Sequence, residues 1–268
     1  MTSEEPFISV VTAVLNGREK IARTIESVRM QGFEAVEYIA IDGGSTDGTV
    51  EILREIQGLT VAFVSEPDRG ISHAFNKGIA MARGEFIGIL NAGDQYEPGT
   101  FGAIASAAHA HPEADVICGS INLWEGGSKP LRCDAHPELL EFETSVYHPA
   151  VFVRKSAYER SGGYDESFLY AMDYELMLRL KREGREFISL PKVLANMSLD
   201  GISSRHWYEG LKEVRRARAR YFSPFNTSLH HGRAILMNVL ARALKAAGLT
   251  SLYRAYRAHR DRITRTDL

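Results

Sequence analysis

Four short apolar segments, each followed by a polar loop that contains glycine, lie in the first third of this 268-residue chain. The segments span residues 7–15, 36–41, 60–64 and 86–90. Nearly continuous apolar runs of this length are typical of strands that are buried on both faces. Between them apolar residues recur at helical spacing, as at Ile21, Ile25 and Val28. The order β-α-β-α-β-α-β predicts an α/β fold with a mostly parallel, Rossmann-like sheet flanked by helices.

Polar side chains stand where each predicted strand ends. They are Thr12 and Asn16, then Asp42, then Asp68, then Asn91 and Asp94. The carboxyl ends of parallel strands share one edge of a sheet, and open α/β sheets bind their ligands there. Asn, Asp and Gly are also common turn residues, which is the alternative for any single loop. Three carboxylates along one rim exceed what turns require, so the pattern indicates a nucleotide or cation site.

Two common phosphate-binding motifs are absent from the sequence. No G-x-G-x-x-G follows the first strand, and no G-x-x-x-x-G-K-[ST] occurs anywhere. The dinucleotide-binding and P-loop interpretations therefore lack their defining feature. Carboxylates at strand ends suit instead a base N–H, a pair of ribose hydroxyls and a metal-bound diphosphate.

The motifs in these loops resemble the successive motifs of family 2 glycosyltransferases. The matching segments are 12–16 (TAVLN), 41–49 (IDGGSTDGT), 66–71 (EPDRGI) with 76–78 (NKG), and 90–94 (LNAGD). Several ordered motifs are more specific than any one, and these cover roughly residues 7 to 200. The resemblance is closest to members that build bacterial exopolysaccharide or O-antigen repeats. It implies the GT-A fold, a nucleotide-diphosphosugar donor and an inverting mechanism.

The resemblance also implies roles for individual side chains. They are base contacts from Thr12 and Asp42, a nucleoside contact from Asp68, further donor contacts from Asn16 and Asn91, and a Mg²⁺ or Mn²⁺ ligand in Asp94. The chain departs from the usual family pattern at Gly93, where many relatives carry a second Asp, and at Asn91.

A general base is expected in the segment 172–180, which reads as the start of a helix. Inverting transfer needs a group that takes the proton from the acceptor hydroxyl as it attacks the anomeric carbon. In the resembling family an Asp at a helix start has this role, and Asp173 matches it best, with Glu175 as the second choice. The alternative is that acidic residues in a first helical turn only complement the helix dipole.

Three further side chains have both a functional and a structural interpretation. In the resemblance His148 lies near the donor diphosphate or the acceptor, although a structural histidine before a proline is the alternative. Arg205 belongs to a segment that resembles the family's closing loop and would pair with phosphate. A solvated arginine is the alternative there, and Arg69 is likewise either a phosphate contact or a surface charge.

The organisation along the chain predicts two regions. Residues 1–204 are expected to form the catalytic domain, with a nucleotide-sugar half over about 1–95 and an acceptor half over about 96–204, where residues 123–137 read as a variable loop. Residues 205–268 are expected to form a basic helical appendage. An apolar stripe in 234–252 favours peripheral contact with an anionic membrane, whereas packing on the catalytic domain or on a second subunit of a homodimer is the alternative.

Bulk composition excludes several other classes. The chain is 44% hydrophobic with a formal net charge of −2, so no overall electrostatic argument points to nucleic acid. Cys118 and Cys133 lack the spacing of a zinc site. Residues 1–6 lack an apolar signal-peptide core, and no apolar run approaches the ~18 residues of a membrane span. A cytoplasmic protein is therefore expected, and the basic C-terminal region adds the expectation of peripheral contact with the cytoplasmic membrane face.

The leading hypothesis is an inverting hexosyltransferase that uses a UDP-sugar, or another nucleotide-diphosphosugar, in cell-surface polysaccharide synthesis. Its acceptor would be a hydroxyl of a glycan or a lipid-linked sugar. A sugar nucleotidyltransferase is one alternative, but residues 10–18 lack the basic glycine-rich loop that such enzymes carry. A catalytically silent nucleotide-sugar-binding subunit is another, and the glycine at position 93 favours it.

Overall fold

The structure is a computed structural model that describes residues 5–124, 130–198, 206–249 and Leu252. The first half alternates strands and helices as the sequence predicts. Its elements are β1 (Ile8–Val14), α1 (Arg18–Arg29), β2 (Val36–Asp42), α2 (Thr49–Arg54), β3 (Thr60–Ser65), α3 (Ile71–Met81) and β4 (Phe86–Ile89). All seven residues of β1 are buried, which explains its nearly continuous apolar sequence.

The second half is built from shorter strands and longer connections. Its elements are β5 (Gln95–Tyr96), α4 (Thr100–Ala110), β6 (Val116–Trp124), β7 (Leu131–Cys133), two 3₁₀ turns (Pro137–Leu139 and His148–Ala150), β8 (Val151–Arg154), α5 (Lys155–Ser161), α6 (Met172–Arg182), β9 (Phe187–Ser198), α7 (Trp207–Arg218) and α8 (Pro224–Ala246). The prediction of a loop over 123–137 was wrong at β7, which pairs with β6.

The described strands form one mixed sheet in the order β3-β2-β1-β4-β8-β6-β9-β5, with β7 beside β6. The four strands of the first half are parallel, and Val14 of β1 is level with Asp42 of β2, which is level with Ser65 of β3. Their carboxyl ends therefore lie along one edge. In the second half β8 is antiparallel to β4 and β6, while β9 runs parallel to β6.

Two hydrophobic cores cover the faces of the sheet. Alternate residues of one strand feed each core, so Ile39 and Ile41 belong to one cluster while Tyr38 and Ala40 belong to the other. Full burial of an isoleucine side chain contributes about 1.5–3 kcal/mol to stability. The helices cover both faces of the sheet and exclude water from them.

The C-terminal helices pack on the rest of the molecule. Helix α7 lies against α6, and α8 lies against α7. Both α7 and α8 belong to the region that the sequence analysis expects to form a basic helical appendage. The predicted boundary between residues 204 and 205 lies outside the described residues.

Candidate active site

The predicted acidic residues follow the carboxyl ends of the parallel strands, the edge at which open α/β sheets bind ligands and which is called the crevice from here on. Asp42 is the last residue of β2. Asp68 follows β3, and Asp94 follows β4. Because β4, β1, β2 and β3 are neighbours in the sheet, the loops that carry these carboxylates stand side by side.

Asp42 is held by one carboxylate oxygen and leaves the other free. Its Oδ2 accepts hydrogen bonds from the backbone N–H of Gly44 (3.1 Å) and Ser45 (3.0 Å) and from the hydroxyl of Ser65 (2.7 Å). Its Oδ1 is buried and has no hydrogen-bond partner among the described residues. An unsatisfied buried acceptor is costly, so this atom is suited to a ligand donor such as a base N–H.

The loop after β1 is fastened to the loop after β2 by Asn16. Its Oδ1 accepts from the backbone N–H of Thr46 at 3.0 Å, and its own N–H donates to Ser45 Oγ at 2.7 Å. Thr12 lies deeper in β1 and is fully buried, and its hydroxyl has no hydrogen-bond partner in the described part of the chain. The structure therefore places Asn16 on the rim and Thr12 in the interior.

Asp68 lies beside the Asp42 loop. A Cβ atom on Gly43 would sit 3.2 Å from Asp68 Oδ2, so the glycine makes room for this carboxylate. Lys77 Nζ donates to Asp68 Oδ1 at 2.7 Å and also pairs with Glu66 at 2.8 Å. One oxygen of Asp68 is thus fixed from α3, and the other faces the glycine loop.

Arg69 and Arg205 are not placed in the crevice by the structure. Arg69 is largely exposed, and its guanidinium pairs with Glu166 at 3.0 Å. Arg205 lies outside the described residues.

The loop after β4 owes its shape to α1 and to a glycine. Thr24 of α1 donates from its hydroxyl to the carbonyl of Asp94 at 2.8 Å and accepts from the N–H of Gly93 at 2.9 Å. Gly93 has a φ of +109°, and a Cβ there would lie 3.3 Å from Lys20 Cδ. A second aspartate at position 93 would therefore be strained, which explains the departure from the usual family pattern.

His148 joins the metal-ligand candidate to the base candidate. Its Nδ1 lies 3.0 Å from Asp173 Oδ2, and its Nε2 lies 3.4 Å from Asp94 Oδ2. The imidazole is about one-tenth exposed and sits in the 3₁₀ turn that precedes β8. The structure thus brings Asp94, His148 and Asp173 into one connected group.

The two carboxylates determine the charge of His148. Burial by itself would lower its pKa, but the charge of Asp173 and hydrogen bonds to Asp173 and Asp94 outweigh burial and raise the pKa to about 10. The Asn91 side-chain amide also lies against this ring, with Nδ2 3.0 Å from Nε2. When Nε2 carries a proton, a half-turn of the amide presents Oδ1 as the acceptor.

Asp173 and Glu175 differ sharply in their surroundings. Asp173 is partly exposed at the start of α6. The buried phenol of Tyr164 lies nearby, and burial, Tyr158 and the charge of Asp173 together raise its pKa well above its usual value. Glu175 is fully buried and pairs with Arg179 (3.1 Å) and Arg220 (2.7 Å). Of the two carboxylates only Asp173 contacts His148, which favours Asp173 as the proton acceptor.

The crevice offers a partial ligand set for a divalent cation. No group of three or more acidic, His or Cys side chains with metal-binding geometry occurs in the described ranges. Asp94 is the carboxylate of this group on the side of the predicted diphosphate, whereas the raised pKa of His148 keeps a proton on Nε2 and the Asn91 amide lies against that nitrogen. A magnesium ion is commonly held by one or two carboxylates together with substrate phosphates. The residues therefore fit a cation that arrives with a diphosphate.

Several residues that build the site were not predicted from the sequence. Thr24 shapes the Asp94 loop, and Glu213 of α7 bonds the backbone ahead of Asp173. Thr24 looks like an ordinary residue of an amphipathic helix. Glu213 looks like one half of a surface ion pair. Their contacts lie 70 and 42 residues away along the chain, so no local pattern reveals them.

Known structures share this fold. Staphylococcus aureus TarS residues 1–349, solved with UDP-GlcNAc, is 17% identical with a TM-score of 0.63, over 85% of this chain and 71% of that one. The mannosyltransferase PcManGT from Pyrobaculum calidifontis, solved with GDP-Man and Mn²⁺, is 20% identical with a TM-score of 0.66, over 96% and 83%. The chain thus has the GT-A fold of a class of glycosyltransferases, as predicted.

Sequence comparisons give the family. The profile described as glycosyl transferase family 2 matches residues 9–148. An uncharacterized glycosyltransferase of Mycobacterium tuberculosis is 33% identical over 189 residues, which cover 67% of this chain and 70% of that protein. The chain belongs to glycosyltransferase family 2 and is a glycosyltransferase enzyme, which confirms the resemblance. Asp173 and the C-terminal helices lie beyond the profile match.

Proposed function

We propose that this protein transfers a sugar, with inversion, from a nucleotide-diphosphosugar to an acceptor hydroxyl in cell-surface polysaccharide synthesis. The observation that carries this proposal is the connected group of Asp94, His148 and Asp173 beside the free oxygen of Asp42. In this group the proposed diphosphate-side carboxylate, Asp94, and the proposed proton acceptor, Asp173, lie on the two sides of one imidazole. A UDP-sugar is the favoured donor, and a GDP-sugar is the alternative, since TarS and PcManGT were solved with one of each.

In the proposed reaction Asp173 acts as the general base. The acceptor oxygen forms a bond to the anomeric carbon, the bond from that carbon to the diphosphate breaks, and the acceptor proton passes to Asp173. Because the acceptor attacks from the side opposite the diphosphate, the anomeric configuration inverts. His148 holds Oδ2 of the base at 3.0 Å and so fixes its orientation toward the crevice.

Asp94 would hold Mg²⁺ or Mn²⁺ together with the phosphates of the donor. When bound, such an ion supplies charge compensation for the departing diphosphate. The chain's own part is to anchor the donor. Asp42 Oδ1 receives a base N–H, and Asp68 lies next to it for the ribose.

A donor screen tests this proposal. Thermal shift with UDP-, GDP- and other nucleotide-sugars in the presence of Mn²⁺ identifies the donor, since a ligand bound only by the folded state raises Tm. Release of nucleoside diphosphate, with panels of glycans and lipid-linked sugars or with water as acceptor, then measures turnover. Asp94→Ala is expected to abolish the Mn²⁺-dependent part of the shift. The matched control is Glu159→Ala, an exposed residue of α5, which should leave the shift unchanged.

The same screen separates the alternatives. A catalytically silent sugar-binding subunit would show the thermal shift without any release of nucleoside diphosphate. A nucleotidyltransferase would consume a nucleoside triphosphate and a sugar phosphate to release pyrophosphate. Absence of a shift with every donor would contradict the proposed function.

The acceptor side of the proposal includes contact with a membrane surface through α8. One side of this helix exposes five large apolar side chains at helical spacing, namely Phe225, Leu229, Leu236, Val239 and Leu240. The opposite side, with Ala234 and Met237, lines a cavity against α7. Within the described part of the chain, no helix carries the long apolar stretch that a membrane crossing requires. The exposed stripe therefore fits a helix that lies in the interface.

Charge favours an anionic lipid surface over a second copy of the chain. Between Glu213 and Asp261 the sequence contains no acidic residue and ten lysines and arginines. An isologous dimer through α8 would place this basic region against itself. Anionic headgroups would instead complement it, with basic side chains such as Arg233 reaching the headgroups from the side of the stripe.

Vesicle flotation tests this contact. The full chain is expected to float with vesicles that contain phosphatidylglycerol and not with pure phosphatidylcholine, and Leu236→Glu should abolish flotation. Met30→Glu, at an exposed apolar residue beside α1, is the control that should float normally. A soluble dimer that Leu236→Glu dissociates, without vesicle binding, would contradict the membrane proposal.

A further inference from the structure

Helix α7 reaches across to the segment that leads into α6. The carboxylate of Glu213 accepts hydrogen bonds from three consecutive backbone N–H groups, those of Leu169 (2.9 Å), Tyr170 (2.8 Å) and Ala171 (2.9 Å). Helix α6 begins at the next residue, and no side chain of its own N-cap residue bonds the helix start. The carboxylate that organises this helix start therefore comes from another helix.

The geometry of Glu213 makes these bonds strong. Its side chain is only 14% exposed, so water competes weakly for the carboxylate. Hydrogen bonds to a charged acceptor are roughly twice as strong as those between neutral groups. A negative charge at a helix N-terminus also interacts favourably with the helix dipole. Three such bonds fix the backbone two residues ahead of Asp173.

Two arginines of the same C-terminal region hold the rest of this segment. Arg216 donates to the carbonyl of Ser167 at 2.7 Å, and its guanidinium lies 3.9 Å from the ring centroid of Phe168. Arg220 bridges Asp165 and the buried Glu175, at 2.7 Å to each. Residues 165–175 are thus tied to the C-terminal region at both ends and in the middle.

We infer that Glu213 is a positioning residue for Asp173. By fixing residues 169–171 it sets where α6 starts, and hence where the Asp173 carboxylate meets His148 and the acceptor hydroxyl. The inference rests on the proposed function, because it assigns Glu213 a role through the proposed base. Part of the active site is accordingly built by a helix that lies beyond the family profile match at residues 9–148.

The first test is a separation of kcat from donor binding. Displacing a reacting group by about 1 Å can cost on the order of 100-fold in rate. Glu213→Ala is therefore expected to lower kcat for donor consumption at least 10-fold, with the donor KM and dissociation constant unchanged within 2-fold. Glu213→Gln, whose amide oxygen still accepts from the backbone, should recover part of the rate. Glu209→Ala, an exposed residue of the same helix that pairs with Lys212, is the control expected to behave as wild type.

The second test is a double-mutant cycle with the base. If Glu213 acts through Asp173, Glu213→Ala should not lower further the residual rate of Asp173→Asn. A merely structural glutamate would lower both rates equally and weaken donor binding with them, and that result would overturn the inference. Should the alanine variant fail to fold, the glutamine variant is measured in its place, and full activity with normal Tm would overturn the inference. Failure of wild type to consume any donor would instead contradict the proposed function itself.

Discussion

The Nδ1 atom of His148 lies 3.0 Å from a carboxylate oxygen of Asp173. This contact connects the loop before β8 to the start of α6 and, through Nε2, to Asp94 beyond β4. One imidazole therefore faces the proposed base at one nitrogen and the proposed diphosphate-side carboxylate at the other.

Loss of His148 should lower kcat more than it lowers the affinity for the nucleotide-sugar donor, because Asp42 and Asp68, which would hold the nucleoside, are left in place. His148→Ala removes the group that orients Asp173, and we expect kcat to fall about 100-fold, the range found when a positioned proton-transfer group is disturbed. Steady-state release of nucleoside diphosphate measures this. The exposed His109→Ala on α4 is the control. An unchanged kcat in His148→Ala would remove the imidazole from the mechanism.

Asp42→Asn should weaken the binding of the nucleotide-sugar donor without unfolding the chain. An asparagine oxygen can keep the bonds from Gly44, Ser45 and Ser65, while its NH₂ group replaces the free acceptor Oδ1. The N–H of the nucleobase would then meet another hydrogen-bond donor, and a buried polar group would be left unpaired. We therefore expect the dissociation constant of the nucleotide-sugar to rise at least 10-fold. Calorimetric titration checks the affinity, and Tm is expected to change by only a few degrees. If wild type and Asp42→Asn bind the nucleotide-sugar equally well, the nucleobase does not bind at Asp42.

Gly93→Asp should not improve metal binding, although it restores the residue that many relatives carry. The φ of +109° disfavours any side chain, and the added Cβ would crowd Lys20. We expect a loss of about 2 kcal/mol in the free energy of unfolding and no gain in Mn²⁺ affinity. Gly102→Asp on α4, where a Cβ meets open space, is the comparison. Tighter Mn²⁺ binding with unchanged stability would show that the loop accepts the second carboxylate.

The sequence predicts the first half of the fold because its signals are local. Strands β1 to β4 are short apolar runs that end in Gly-bearing loops, and parallel pairing then gathers Asp42, Asp68 and Asp94 at one edge. Strand β9 was not predicted, because Pro191 interrupts it and most of its residues are only partly buried. β-Sheets tolerate proline mainly at edges and bulges, and the pairing of β9 with β6 does shift register between Gly119 and Ile121.

The sequence predicts individual residues of the site but not the contacts between them. The sequence identifies Asp94, His148 and Asp173 as separate candidates, and only the folded chain shows that one imidazole joins them. Burial and ion pairing separate Glu175 from Asp173, although the two are two residues apart in one acidic helix start. The buried Glu175 is paired with Arg220, which is 45 residues away along the chain. No local sequence pattern predicts this pairing.

His230 should make stability depend on pH. Burial lowers the pKa of His230 to about 4, and the charge of Arg218 acts in the same direction, against its hydrogen bond to the Phe142 carbonyl. The unfolded pKa is about 6.5, so the unfolded chain binds the proton first. The stabilising contribution of neutral His230 is therefore complete above pH 6.5 and is lost as pH falls toward 4.

The His230→Asn variant isolates this effect. Between pH 7 and 5 wild type should lose about 1 kcal/mol more of its free energy of unfolding than the variant, a value reduced for partial exposure. Urea unfolding at both pH values measures the difference. Parallel losses in the two proteins would show that His230 does not titrate on unfolding.

Transfer by Asp173→Asn shows whether this carboxylate takes the proton from the acceptor hydroxyl. With the donor identified by thermal shift, its dissociation constant and the rate of nucleoside diphosphate release are measured for wild type and variant. We expect a rate at least about 100-fold lower, the typical contribution of a positioned base, with donor affinity within a few-fold of wild type. Full turnover by Asp173→Asn would contradict this expectation.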